Sequence, residues 1–281
     1  MTLRAATEAD IPAMFSLLRQ YESTSLFPLA RLSEAGLGGD GPHALCAWVA
    51  EEDAAISGVV GLSAAGMLLP QWPGAAWSEL RPALAGHKVS GAVGPAEQVR
   101  PMLAALGLAS SPARHNGDEA GFVLELADLV EPTDESILIR PDHGHRPLMT
   151  EWRAAYLTEI FATPPAEAAR QAEPDVDRWL AADSHRILQA EGQPVAMSGF
   201  NARLPDVVQI GGVYTPPALR GRGHARAVVA RHLSEVRSKG VRRAALFAVS
   251  PAAVRAYRAI GFREKGRMSL VLFESLQRIR A

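Results

Sequence analysis

The sequence has 281 residues, of which 48% are hydrophobic and 21% charged, and this balance is typical of a folded globular protein rather than a disordered chain. Its formal net charge of −1 gives no general attraction to polyanions, so we expect neither nucleic acid nor a membrane as a partner. Cys46 is the only cysteine, which excludes an internal disulfide and a cysteine-based metal site. The opening residues lack the apolar core of a signal peptide, and no run of roughly 18 residues is apolar throughout, so we expect a cytoplasmic protein.

The first half of the chain predicts strands mixed with helices. A strand at Leu3 is followed by a helix that ends near Tyr21. The later elements predicted here are strands at 44–51, 55–64, 87–93 and 121–126 and a helix at 96–106. We interpret the tryptophan-containing segment 70–77 as a loop packed into the core rather than the border of a pocket.

The chain is long for a single core, and two domains are the expectation from its length. A proline and several acidic residues interrupt the apolar pattern at 128–134, so we place a linker there. The predicted domains are therefore 1–130 and 131–281.

The second half has a clearer succession of elements. The predicted order is a strand at 136–140, helices at 147–162 and 165–182, strands at 186–190, 193–202 and 207–215, a helix at 222–239, a strand at 241–249, a helix at 251–260 and a strand at 268–273. His143 and His145 have a spacing seen in metal sites, but no third ligand is evident, so we expect no metal.

The most informative segment joins the strand at 207–215 to the following helix. Pro216 and Pro217 end the strand, and the turn Arg220-Gly221-Arg222-Gly223-His224-Ala225 leads into the helix. Glycines let a ligand approach the backbone, and a helix begins with unpaired N–H groups at the positive end of its dipole. The turn therefore predicts a diphosphate site. The alternative is an arginine-rich surface turn that binds nothing.

The elements that follow the turn favour the diphosphate site over an inert surface turn. A buried strand at 241–249 is followed by Ser250-Pro251, a helix that carries Tyr257, and Gly261-Phe262. Together with Arg220–Ala225, which matches the pattern Arg/Gln-x-x-Gly-x-Gly/Ala, this segment resembles the GNAT-type N-acetyltransferase superfamily. The resemblance implies an α/β (α+β) fold with a mixed, mostly antiparallel sheet flanked by helices, and it implies acetyl-CoA as co-substrate. The element order of residues 1–130 suggests a second, degenerate GNAT-like domain, in tandem with a complete one at 131–281.

The resemblance also implies roles for individual residues. Tyr257 stands where the family has a general acid for the departing thiolate. The amide of Val213 is expected to polarise the thioester carbonyl. The residues expected to bind the cofactor are Val213, Tyr214, Thr215, Arg220, Gly221, Arg222, Gly223, His224, Ala225, Ser250 and Ala253.

The general base stays open, because Gln209 occupies the position where many relatives carry a glutamate. Glu159, Glu151 and Asp206 are candidates that would act through water. The leading interpretation is an N-acetyltransferase that acts by direct attack of a primary amine, on a small molecule or a peptide. The alternative is a non-catalytic acyl-CoA-binding sensor or scaffold, which the missing carboxylate favours and Tyr257 disfavours.

Overall fold

A computed structural model describes residues 2–39, 41 and 44–280 and divides the chain into two compact units. The first unit contains residues 1–120 and 266–281, and the second contains residues 121–265. The strands are β1 Thr2–Ala5, β2 Leu45–Glu52, β3 Ala55–Ser63, β4 Met67–Gln71, β5 Lys88–Pro95, β6 Ala113–Glu125, β7 Ile137–Ile139, β8 His185–Ala190, β9 Gln193–Arg203, β10 Val207–Tyr214, β11 Arg243–Ala248 and β12 Arg263–Arg278. The helices are α1 Ile11–Gln20, α2 Glu22–Ala35, α3 Leu80–Ala83, α4 Ala96–Ala105, α5 Arg146–Phe161, α6 Pro165–Ala181, α7 His224–Arg237 and α8 Pro251–Arg258.

The first unit is built on a mostly antiparallel sheet. Its strand order is β1-β2-β3-β4-β5-β12-β6, with Ala113–Ala120 of β6 in this unit. From β1 to β12 in this order, β4 and β5 run parallel and the other neighbouring strands run antiparallel. Trp72, which is 1% exposed, packs with residues of β2, β3 and α4 in the main core cluster. The prediction that the segment 70–77 places a tryptophan in the core is therefore confirmed.

The last strand explains why the two compact units differ from the predicted ranges 1–130 and 131–281. β12 pairs with β5 from Met268 to Arg278, so the residues from Gly266 onward belong with the first unit. Gly121–Glu125 of β6 belong to the second unit. A local apolar pattern cannot show which strand a distant strand will pair with.

The second unit has the strand order β6-β11-β10-β9-β8-β7. Helices α5 and α6 cover one face, where Trp152 and Val176 pack against Met197 and Tyr214. Helix α7 contacts β9 and covers the other face, where His232 lies within 2.9 Å of the Ser198 hydroxyl. These two units confirm the predicted fold class, a mixed and mostly antiparallel sheet flanked by helices.

The segment predicted to be a linker is anchored to α7. Arg237 pairs with Glu131 at 2.6 Å, and Arg231 donates to the carbonyl of Asp134. The sequence-based boundary at residue 130 therefore falls within the second unit, in a segment that is fixed along its length by side chains of a helix.

Candidate functional site

Strands β10 and β11 separate from each other along their length. They are parallel and pair only at Val207–Gln209 with Arg243–Ala245, although β10 continues to Tyr214 and β11 to Ala248. Each strand leads into a helix, β10 into α7 and β11 into α8. Because the carboxyl ends of parallel strands lie at the same edge of a sheet, the beginnings of both helices lie at the edge where the strands separate.

A bulge in β10 lies in the part of the strand that has left β11. Gly211 pairs with Gly199 and Tyr214 pairs with Met197, so Gly212 and Val213 stand opposite a single residue of β9. Gly212 has a φ of +61°, which is a conformation that side chains disfavour. A bulge interrupts the ladder and turns backbone groups away from it, which is the arrangement expected for the Val213 amide.

The glycine turn has two residues with positive φ and leads into a helix that begins two residues later than the predicted 222. Gly221 and Gly223 have φ values of +79° and +86°, and a Cβ on Gly221 would meet nothing within 4 Å. Helix α7 begins at His224, and its first backbone bond runs from the Ala227 N–H to the Gly223 carbonyl, 3.1 Å away. The N–H groups before Ala227 are those that a helix cannot satisfy itself, so they are suited to an anion.

Arg220 is engaged by protein groups. Its two Nη atoms donate to the two carboxylate oxygens of Glu159, each at 2.7 Å, and its Nε donates to the Thr215 carbonyl at 2.9 Å. The guanidinium also lies 5.8 Å from the centre of the Tyr214 ring. Arg220 thus joins helix α5 to the end of β10, which the sequence alone did not indicate. Arg222, by contrast, is exposed.

Helix α8 places the other predicted residues. Ser250 caps it, since the Ser250 hydroxyl accepts from the Ala253 N–H at 3.2 Å. Tyr257 lies in its last turn, 8% exposed and 5.9 Å from the ring of Phe262. Burial, with the nearby Tyr156 phenol second, raises the pKa of Tyr257 well above its ordinary value. The phenol is therefore protonated near neutral pH, as a proton donor requires.

The candidate bases do not form an obvious proton acceptor. Gln209 is buried at 4% exposure and carries an amide. Glu159 is paired with Arg220, and Asp206 lies 2.7 Å from a nitrogen of Arg243. Glu151 is exposed on α5. Glu159 and Asp206 thus have ion-pair partners that need no catalytic role.

Two negative findings concern only the part of the chain that the structure describes. Within it, no group of three or more histidine, cysteine, aspartate or glutamate side chains could hold a metal ion. His145, from the predicted turn, pairs instead with Asp142 at 2.7 Å. No helix among the described residues is long and apolar enough to cross a membrane.

Comparison with known families identifies the domain to which the glycine turn belongs. Residues 147–262 match the family model described as Acetyltransferase (GNAT) family. Residues 147–262 form a GNAT domain. The predicted recognition is therefore confirmed, and acyl transfer from acyl-CoA is the activity of the family to which this domain belongs.

Solved structures resemble the whole chain. A GCN5-related N-acetyltransferase from Sphaerobacter thermophilus is 19% identical with a TM-score of 0.57, covering 100% of this chain and 96% of its own. A tandem GNAT protein from the clavulanic acid biosynthesis pathway is 12% identical with a TM-score of 0.55, and the match covers 100% of this chain and 99% of that protein. A putative GNAT-family acetyltransferase from Novosphingobium aromaticivorans is 19% identical with a TM-score of 0.51, covering 97% and 99%. No curated protein matches the sequence. At these identities the likeness shows the fold, which is a tandem GNAT-like fold in which the GNAT domain lies in the second unit.

Proposed function

We propose that the GNAT domain transfers an acetyl group from acetyl-CoA to a primary amine of a small molecule or peptide. The observation that carries this proposal is the separation of β10 and β11 after three residue pairs, with a helix beginning at the end of each strand. The opening exposes strand backbone to an extended ligand, and the helix that begins at His224 offers N–H groups to an anion. A long thiol with a diphosphate at one end fits both features.

The residues proposed to hold acetyl-CoA follow from this placement. The diphosphate would lie on the amides of the turn Arg220–Ala225, with the Arg222 side chain beside it. The pantetheine arm would pair with the backbone of Val213, Tyr214 and Thr215, which have no β11 partner in the register of the two strands. Ser250 and Ala253 would border the arm from the start of α8. Because Arg220 is bound to Glu159, its contribution is to hold the turn in place.

Bound acetyl-CoA supplies an activated acetyl group as a thioester. In the proposed reaction the Val213 N–H, turned out of the ladder by the bulge, donates to the thioester carbonyl. The neutral amine attacks directly, and the phenol of Tyr257 gives its proton to the departing thiolate. Burial is the first cause of the raised pKa of Tyr257, so the phenol carries its proton at neutral pH.

A second function has one observation in its favour. Gln209 stands where a carboxylate base is expected, and both Glu159 and Asp206 are held in ion pairs. A domain that binds acyl-CoA without turning it over, as a sensor or scaffold, is consistent with these contacts.

The test is acetyl-CoA-dependent release of free thiol, measured with a polyamine, an amino sugar, an amino acid and a lysine-containing peptide as acceptors. Thiol release that depends on one acceptor supports the transferase. Binding of acetyl-CoA by calorimetry without thiol release from any of them favours the sensor. Absence of binding rejects both functions.

A further inference from the structure

His185 is a buried histidine on the face of the sheet that α5 and α6 cover. It opens β8, and its side chain is 3% exposed. The imidazole stacks on Trp179 of α6, with ring centres 3.8 Å apart and planes 15° from parallel. This stacking fixes the plane of the ring along the sheet surface.

The imidazole extends across β9 to the bulge of β10. His185 pairs with Gly199, and Gly199 pairs with Gly211. A Cβ on Gly199 would clash with the ring, so the ring occupies the volume that a side chain there would take. A Cβ on Gly212 would lie 3.1 Å from Nε2 of His185. The Nε2 end of the ring therefore abuts the bulge that frees the Val213 amide.

Nε2 has no hydrogen-bond partner among the described residues, although it is shielded from solvent. Nδ1 lies 2.9 Å from the Ser184 hydroxyl. An unsatisfied polar atom in the interior destabilises the fold, and phenylalanine would fill a similar volume without that destabilisation. Burial lowers the pKa of His185 well below its ordinary value, so the ring is neutral and Nε2 can serve as a hydrogen-bonding atom.

We propose that His185 is a positioning residue for acyl transfer, whose Nε2 bonds the backbone of Gly212 when acetyl-CoA is bound and thereby keeps the neighbouring Val213 N–H aimed at the thioester carbonyl. This inference rests on the proposed function. It assigns a purpose to a buried polar atom that has no hydrogen-bond partner among the described residues, beside one of the two irregularities in the pairing of β10 with β9.

The experiment uses the full chain and acetyl-CoA labelled with carbon-13 at the carbonyl. Isotope-edited infrared spectroscopy measures the carbonyl stretch of the bound thioester, which moves to lower frequency when an N–H polarises it. In the unaltered protein we expect that displacement relative to free acetyl-CoA. In His185→Phe we expect the stretch to return toward the free value, while calorimetry gives an unchanged affinity for CoA and the melting temperature is equal or higher.

His232→Phe is the matched control. His232 is 1% exposed and its Nε2 is also unpartnered among the described residues, but it belongs to α7 on the opposite face, where its Nδ1 lies 2.9 Å from the Ser198 hydroxyl of β9. This variant should retain the displaced stretch. His185→Gln, whose terminal amide can reach the place of Nε2, should restore most of the displacement lost in His185→Phe.

A displaced stretch that persists in His185→Phe would overturn the inference, as would an undisplaced stretch in the unaltered protein. If His185→Phe does not fold, His185→Gln decides: the displaced stretch supports the inference and the free-ligand stretch contradicts it. Failure of the unaltered protein to bind acetyl-CoA would instead refute the proposed function.

Discussion

The burial of His232 leads us to predict that the second unit loses stability in mild acid. The imidazole is buried between α7 and β9, with the ring of Phe200 4.1 Å away. Burial, and next the positive charge of Arg186, lowers the pKa of His232 to about 3 from 6.5. Glu235 and Asp183 oppose this effect, and Arg203 adds to it. His232→Phe keeps an aromatic ring and removes the titrating group.

The direction of the pKa shift determines whether the free energy of unfolding rises or falls in acid. Because the folded-state pKa is below the unfolded-state pKa, the unfolded chain binds a proton that the folded chain refuses. The contribution of His232 to the free energy of unfolding is fully present above pH 6.5 and is lost as the pH falls from 6.5 toward 3. Each pH unit in that window costs about 1.4 kcal/mol, so roughly 3 kcal/mol is lost at about pH 4.5. Glu235 contributes little to the loss above pH 4.5, because the hydrogen bond from Arg186 lowers its pKa from 4.5 to about 2 and its own stabilisation is lost only as the pH falls from 4.5 toward 2.

The assay is urea unfolding followed by circular dichroism at about pH 7.5 and about pH 4.5. His232→Phe should lose less unfolding free energy between the two conditions than the unaltered protein, by roughly 3 kcal/mol. His143→Asn removes an exposed histidine of the same unit and should behave as the unaltered protein does. Equal acid losses in His232→Phe and the unaltered protein would refute the reasoning.

Three further predictions concern the site. Tyr257→Phe should lower thiol release about 10²-fold or more while calorimetry shows unchanged CoA affinity; full turnover would leave Tyr257 a packing residue. Glu159→Gln breaks the ion pair between Glu159 and Arg220, whose side chains are 40% and 43% exposed respectively. Urea unfolding should therefore show that the free energy of unfolding falls by no more than about 1 kcal/mol. A larger loss would contradict the assignment as a surface ion pair. Calorimetry should give one CoA per chain, because the start of α4 in the first unit is a poor anion site. Pro95 provides no N–H there, and the side-chain oxygen of Gln98 accepts the backbone N–H of Trp72 at 2.6 Å. Binding of two equivalents of CoA would contradict this prediction.

The parts of the fold that could be predicted from the sequence are those where a residue such as proline or a helix cap marks the end of an element. Pro216 ends the strand before the glycine turn, and Ser250 caps α8, so the elements on either side could be placed to within a few residues. Three elements were missed for a local reason: α2 contains Pro28, α3 contains Pro82 and β4 contains Pro70, and proline argues against regular structure. Packing and pairing along the chain overcame that preference.

The contacts of the site that could not be predicted join residues far apart in the sequence. Arg220 and Glu159 are 61 residues apart, and no periodicity indicates that they pair. The register of β10 with β9, which produces the bulge at Gly212, depends on the pairing of two strands. His185 lies just before the predicted strand at 186–190 and has no predicted role, because its place on the sheet depends on the missing side chain of Gly199.

The binding of CoA to the glycine turn tests the central claim most directly. The double variant Gly221→Val, Gly223→Val places branched side chains where φ is +79° and +86°, which should displace the amides that bind the diphosphate. Gly192→Val, Gly240→Val is the matched control, because those glycines have φ values of +74° and +98° with nothing within 4 Å of an added Cβ. Calorimetry should show that the control binds CoA and that the folded Gly221, Gly223 variant does not. Unchanged CoA affinity in that variant would contradict the account.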